Sequence, residues 1–214
     1  MEKFEEYLVR RIDKKKNIAG LLEYPSYVEI ETVNACNARC PMCTINDWNR
    51  NYPTMKDEVF NKISEDLIEN KKYLKRVTLH RDGEPLLDKK LPSRIAKFRD
   101  NGMNNTSIAT NVSLLNEKKS RELLEAGIGS ILMSVDSLKK EVFEKIRVRL
   151  NFEEVRDNAI KFFELRDKIN PECQVWVRMI RQKSNYNEWD EYLNFWKKYA
   201  SDQDRIYFHN IFNW

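Results

Sequence analysis

The sequence predicts an α/β fold, a partial (β/α)6 barrel of parallel strands. Three observations carry the prediction. Six short segments rich in Val, Ile, Tyr and Thr alternate with helical segments, which calls for a parallel sheet with crossover helices. Six such units are too few to close the usual eight-stranded barrel, so a curved, open sheet with a wide lateral mouth is expected. A loop carrying three cysteines comes directly after the first strand, where the ligand loops of a β/α barrel lie.

In chain order, residues 2–16 place Phe4, Leu8 and Ile12 at helical spacing. Gly20 and Pro25 punctuate the link to the first strand, so residues 1–25 are read as an N-terminal helix and linker, and residues 26–214 as the core. Ser26–Thr32 alternates as a strand should. Thr54 is expected to cap a helix running to Asn70, with Val59, Phe60, Ile63, Leu67 and Ile68 as its apolar stripe. Further strands are expected at Lys75–Leu79, Thr106–Thr110, Ser130–Val135, Cys173–Ile180 and Arg205–His209. A helix over Leu91–Asp100 meets a stop at Asn101-Gly102. Asn116 caps a helix that runs to Ala126 and stops at Gly127. Phe152–Lys168 reads as a long helix, and Tyr186–Tyr199 as one rich in aromatics. No helix is expected after the last strand. Its bare edge is expected to be covered by a partner chain, or to mark a truncation.

Composition narrows the class. A chain of 214 residues with 41% hydrophobic and 34% charged residues fits one globular domain rather than a disordered segment. No apolar run is long enough to cross a bilayer, and the N-terminus lacks the order of a secretory signal. A reducing cytoplasm is therefore the expected location, and it suits thiolate ligands better than disulfides. The net charge is +4, but the charges are interspersed. Without a basic stripe interleaved with aromatics, nucleic acid is not the expected partner.

Cys36, Cys40 and Cys43 read C-x-x-x-C-x-x-C, tight enough for one loop to wrap one inorganic object. Thiolates favour iron–sulfur clusters, zinc and copper(I). Three ligands with no obvious fourth nearby leave one metal position open, and open positions are where metal sites do chemistry. The alternative is a zinc site completed by Cys173, His80 or His209, although zinc sites more often use paired arms. Cys173, at the start of a strand, is most simply a small buried hydrophobe.

This cysteine spacing resembles that of the radical S-adenosylmethionine (radical SAM) superfamily. The resemblance implies a radical SAM core on a TIM-like partial barrel. It also implies that the three cysteines hold a [4Fe–4S] cluster whose fourth iron takes the amino and carboxylate groups of S-adenosylmethionine. Later stretches extend the likeness. Gly83-Glu84-Pro85, after the second strand, is similar to the family's G-G-E-P turn, with Asp82 in place of the first glycine. There the turn's backbone contacts the methionine amino group, an ammonium that needs acceptors; in isolation the same residues make an ordinary turn. Thr110-Asn111-Val112 resembles a T-N-G element, with Val112 for glycine. Asn111 either orients a ligand or makes a local turn bond. Ser134 and Asp136 end the fourth strand. By resemblance Ser134 meets the carboxylate or ribose of S-adenosylmethionine, and Asp136 either accepts from a hydroxyl or caps the next helix near Lys139. Arg147 is the choice for a carboxylate clamp, against a surface salt bridge, and Arg149 stands where glycine is common. Met42 stands near the expected adenine position. Arg39 is expected to tune the cluster by charge; Arg178 and His209 are candidates to reach the cavity, although neither lies in a specific motif and a core histidine with a satisfied nitrogen is the more common case.

The implied activity is reductive cleavage of S-adenosylmethionine, giving a 5′-deoxyadenosyl radical that abstracts hydrogen from substrate. The expected partners are a peptide, protein or sugar-type small-molecule substrate and a one-electron reductant such as flavodoxin or ferredoxin. The alternative is a non-catalytic iron–sulfur or zinc-binding protein, or a truncated regulatory partner.

Overall fold

The computed structural model describes residues 24–47 and 53–211. The expected N-terminal helix lies outside the described residues. Six strands form one sheet: β1 (Tyr27–Glu29), β2 (Arg76–Thr78), β3 (Thr106–Thr110), β4 (Ser130–Ser134), β5 (Gln174–Arg181) and β6 (Arg205–Asn210). Their spatial order is their chain order, and every pairing is parallel. Unbroken order with right-handed crossovers winds the connecting helices onto one face and curves the sheet into a partial barrel.

The helices are α1 (Asp57–Glu69), α2 (Leu91–Asp100), α3 (Glu117–Glu125), α4 (Lys140–Ile146), α5 (Phe152–Ile169) and α6 (Trp189–Trp196). Several ends obey local chemistry. Asn116 Oδ1 accepts from Lys119 N at 3.0 Å, and Asn151 Oδ1 from Glu154 N at 2.9 Å. Gly127 stops α3 with φ of 84°, a left-handed conformation that costs glycine little. Thr54 does not cap α1. The helix starts after Lys56 without a side-chain cap, and Thr54 pairs with Val33 in an isolated antiparallel bridge. The aromatic segment opens with a 3₁₀ turn over Tyr186–Glu188, and α6 ends at Trp196 rather than Tyr199. Among the described residues no helix is long and apolar enough to cross a membrane.

The strands divide labour by parity. Val77, Leu79, Ile108, Ile131, Met133, Val175, Val177 and Met179 alternate along them, almost wholly buried against the helices. Burying each such side chain is worth about 1.5–3 kcal/mol, so this row drives folding. The intervening residues line the concave face, where polar and charged side chains stand among a few apolar ones such as Ala109, Trp176 and Ile180. They include Thr78, His80, Asn111, Ser134, Arg178, Tyr207 and His209. In register, Ser134, Arg178 and Tyr207 stand side by side across β4, β5 and β6. Lower on the same face, Arg76 and Arg205 each stack on Trp176, at 4.8 and 5.1 Å from its ring centroid.

Two buried ion pairs tie helices to loops. Arg94 meets Asp88 at 2.9 Å. Arg166 of α5 grips Asp204 with both guanidinium ends at 2.8 Å, and Asp204 also accepts from Val175 N. Removing one partner of such a pair typically costs about 3–5 kcal/mol.

Candidate active site

The cysteine loop leaves β1 and folds back on itself. Cys43 N donates to Cys40 O at 3.0 Å. Arg39 is exposed, and its Nη1 donates to the carbonyls of Cys36 and Ala38, both at 2.7 Å. It therefore braces the loop backbone. Cys40 is buried and Cys36 and Cys43 are partly exposed. All three line one cavity of about 170 Å³, together with Gly83, Glu84, Asn111, Ser134, Arg147 and Arg178.

The turn after β2 is locked onto this loop. Asp82 N and Gly83 N donate to Glu31 Oε1, and Glu84 N donates to Ala35 O at 2.8 Å. A Cβ on Gly83 would sit 2.1 Å from Val33 O and 3.0 Å from Ala35 O. Glycine is required here for backbone to pass backbone. This close approach is to the cysteine loop itself. Pro85 opens a short 3₁₀ turn and is buried away from the cavity wall.

The Glu84 carboxylate reaches a neighbouring strand end. Oε1 accepts from Thr110 Oγ1 at 2.7 Å and from Leu86 N at 3.1 Å, and Oε2 accepts from Asn111 N at 2.8 Å. Burial pushes its carboxyl pKa up, against these donors. Glu84 thus fixes the place of Asn111. The Asn111 side chain donates to Asn37 Oδ1 at 2.9 Å and lies 3.8 Å from Cys36 Sγ, while its own oxygen accepts from Ser113. Asn37, Glu31 and Ser113 were not singled out from sequence. Their hydrogen bonds, to the site and to one another, span up to 76 positions along the chain, a separation no local pattern reports.

On the opposite wall, Arg147 Nε donates to Asp136 Oδ2 at 2.6 Å, and its Nη1 lies 3.8 Å from Cys40 Sγ. Asp136 is fully buried and its Oδ1 accepts from Ile180 N, so it stands behind Arg147 rather than on the cavity wall. It caps no helix. The Lys139 N–H is taken by Ser137 Oγ. Burial pushes the Cys36 and Cys40 thiols up, and Arg147 pulls Cys40 back toward the thiolate.

Val112 and Arg149 stand where the family resemblance has glycine, and both keep a glycine-like backbone, with φ of 70° and 76°. The turns keep their left-handed shape although the residue is not glycine. Met42 lines a second, outer cleft of about 880 Å³, with Asp47, Ile180 and His209. Cys43, Asp82, Arg147 and Arg178 line both spaces. Cys173 is fully buried at the opposite end of the strands, and no three His, Cys, Asp or Glu groups among the described residues converge as a single-ion site requires. Three cysteine sulfurs along one cavity wall, two of them met by a guanidinium or an amide, fit a cluster larger than one ion.

Fold and site define a parallel β/α protein with a three-cysteine centre at the C-terminal mouth of its sheet. The model of the radical SAM superfamily matches residues 30–195, and the chain belongs to that family. The family's cofactors are a [4Fe–4S] cluster and S-adenosylmethionine. The chain is 33% identical over 138 residues to a GTP 3′,8-cyclase of Chlorobaculum tepidum, covering 60% of this chain and 38% of that protein. It is 28% identical over 183 residues to a GTP 3′,8-cyclase of Limosilactobacillus fermentum, covering 83% and 51%. It thus spans about half or less of the length of these relatives. Among solved structures it is similar to Streptococcus suis SuiB bound to S-adenosylmethionine, at a TM-score of 0.70 and 17% identity, covering 100% of this chain and 48% of that one.

Proposed function

We propose that this chain is the catalytic core of a radical SAM enzyme. The observation that carries the reading is the three-cysteine loop, locked by Gly83 and Glu84 against the wall of a cavity that the strand ends also line. Cys36, Cys40 and Cys43 would hold the cluster. When bound, the cluster supplies the electron that cleaves S-adenosylmethionine to a 5′-deoxyadenosyl radical, which abstracts hydrogen from the substrate.

The chain's own residues bind and orient. The Gly83-Glu84 backbone, on the cavity wall, offers acceptors to the methionine ammonium, and Pro85 behind it fixes the turn. Asn111 and Ser134 present polar groups at neighbouring strand ends, and Met42 offers an apolar surface toward the adenine. Arg147, held by Asp136, sets a fixed positive charge beside Cys40. The electron comes from a one-electron reductant such as flavodoxin or ferredoxin. The sequence suggested a peptide, protein or sugar-type substrate, whereas the curated relatives act, by their names, on GTP. The sequence similarity therefore favours a small molecule over a peptide.

Anaerobic reconstitution and then addition of dithionite and S-adenosylmethionine test the reading. The expected product is 5′-deoxyadenosine, with a change in the electron spin resonance of the reduced cluster when S-adenosylmethionine binds. A fully loaded protein that yields neither is a non-catalytic iron–sulfur protein.

A further inference from the structure

Arg94, Arg147 and Arg166 are drawn into the interior, and each is met by a carboxylate: Asp88, Asp136 and Asp204. Arg178 is different. It projects from β5 onto the concave face, where its one hydrogen bond among the described residues is from Nη2 to Ser134 Oγ at 3.3 Å. Its Nε is buried without a partner, and among the described residues no carboxylate pairs with it. The nearby acid, Asp136, already commits both oxygens to Arg147 and Ile180 N. A guanidinium carries five donors in a fixed fork, and burying one without an anion is costly. Burial accordingly pushes the Arg178 pKa down.

Its surroundings are built for a ligand rather than for packing. Arg178 borders both the cysteine-lined cavity and the outer cleft. On the far wall, His80 Nδ1 is also buried without a partner. Burial pushes His80 down to about 4, so at neutral pH it is an uncharged imidazole with one N–H to give. Tyr207 lies beside Arg178 in register. Two acids border the outer cleft, Asp47 and Asp82, and Asp82 lies 3.8 Å from Arg81 Nε.

We propose that Arg178 anchors a carboxylate or phosphate of the substrate, at the junction of the inner cavity and the outer cleft. The anion supplies the partner that the fold withholds, and planar bidentate recognition is what arginine does best. The substrate is thereby an anionic small molecule, held by its charged end while the rest reaches toward the cysteine loop. The inference rests on the radical SAM reading for the reaction, and a repeat of its titration on cluster-free protein separates the two.

Inorganic pyrophosphate and succinate are titrated into the anaerobically reconstituted full chain, saturated with S-adenosylmethionine, at constant ionic strength. Thermal unfolding is measured for the parent, Arg178→Gln and Arg178→Lys. One probe, which names the anion, is expected to raise the parent's melting temperature saturably. Its affinity should fall at least tenfold in Arg178→Gln and less in Arg178→Lys. Half-saturation by S-adenosylmethionine, read from the cluster's spin resonance, should move less than threefold. Arg178→Gln should fold at least as stably as the parent, because it removes a half-buried charge without a carboxylate partner among the described residues. No saturable response in the parent, or an equal one in Arg178→Gln, overturns the proposal. So does a tenfold loss of S-adenosylmethionine affinity, which would assign Arg178 to that cofactor's own carboxylate. Absence of 5′-deoxyadenosine from the parent would sink the enzyme reading and leave the anion titration, repeated on cluster-free protein, to stand or fall alone.

Discussion

Arg147 Nε donates to the buried carboxylate of Asp136 at 2.6 Å, and the same guanidinium lies 3.8 Å from Cys40 Sγ. Asp136 therefore aims a permanent cation at one ligand of the proposed cluster. Sulfur hydrogen bonds and local charge set the potentials of such clusters.

Replacing Arg147 with Gln removes that charge. The midpoint potential of the cluster should fall by about 60 mV, one tenfold step for one electron. A redox titration monitored by spin resonance reads this directly. An unchanged potential in a loaded variant would show that the arginine is only structural.

Gly83→Ala should separate the turn from the cysteine loop. The new methyl meets two backbone carbonyls, which cannot swing aside as a side chain can. Overpacking of this kind costs about 1–3 kcal/mol. Denaturant unfolding should show that loss, and iron bound per chain should drop after reconstitution. Full iron loading would mean that the two loops are not coupled.

The two left-handed residues should respond to glycine with opposite signs. Arg149 is exposed at φ 76°, so Arg149→Gly relieves strain and loses little packing. A gain of up to about 1 kcal/mol is expected. Val112 is fully buried at φ 70°. Val112→Gly relieves similar strain but forfeits about 1.5–3 kcal/mol of burial, so it should destabilise. Chemical denaturation of both variants decides.

His80 should make the cluster-free protein acid-sensitive. Burial holds its folded pKa at about 4, below the ordinary value of 6.5. Between these values the unfolded chain binds a proton that the folded one refuses, so stability falls as pH drops from about 6.5 to 4. The full effect is roughly 3 kcal/mol. His80→Gln should flatten this limb of the stability–pH curve, and a parallel curve would show that other groups cause it.

Much of the fold was legible because its causes are local. Thr106–Thr110 and Leu91–Asp100 appear at their expected bounds, since alternation in one and the Asn101-Gly102 stop in the other act within a few residues. The family motif marked the cysteines, and the polar strand ends were read from position. What escaped was tertiary. The seven residues of Lys140–Ile146 are too few to announce a helix and are held by packing Phe143 and Ile146. Thr54 offers good capping chemistry but is taken by Val33, twenty-one positions earlier. The role of Glu84 as a clamp on Thr110 and Asn111 depends on a strand pairing that its own segment does not encode.

The parity of the strands has a consequence for how such a protein changes over time. Every second residue supplies the cohesion, and its neighbours supply the chemistry. Mutations in the two sets therefore act chiefly on separate properties. The row bearing Thr78, Ser134 and Arg178 can be rewritten, one position after another, without dismantling the architecture beneath it. New substrates are within reach of single substitutions on this scaffold, while its body plan stays as it is.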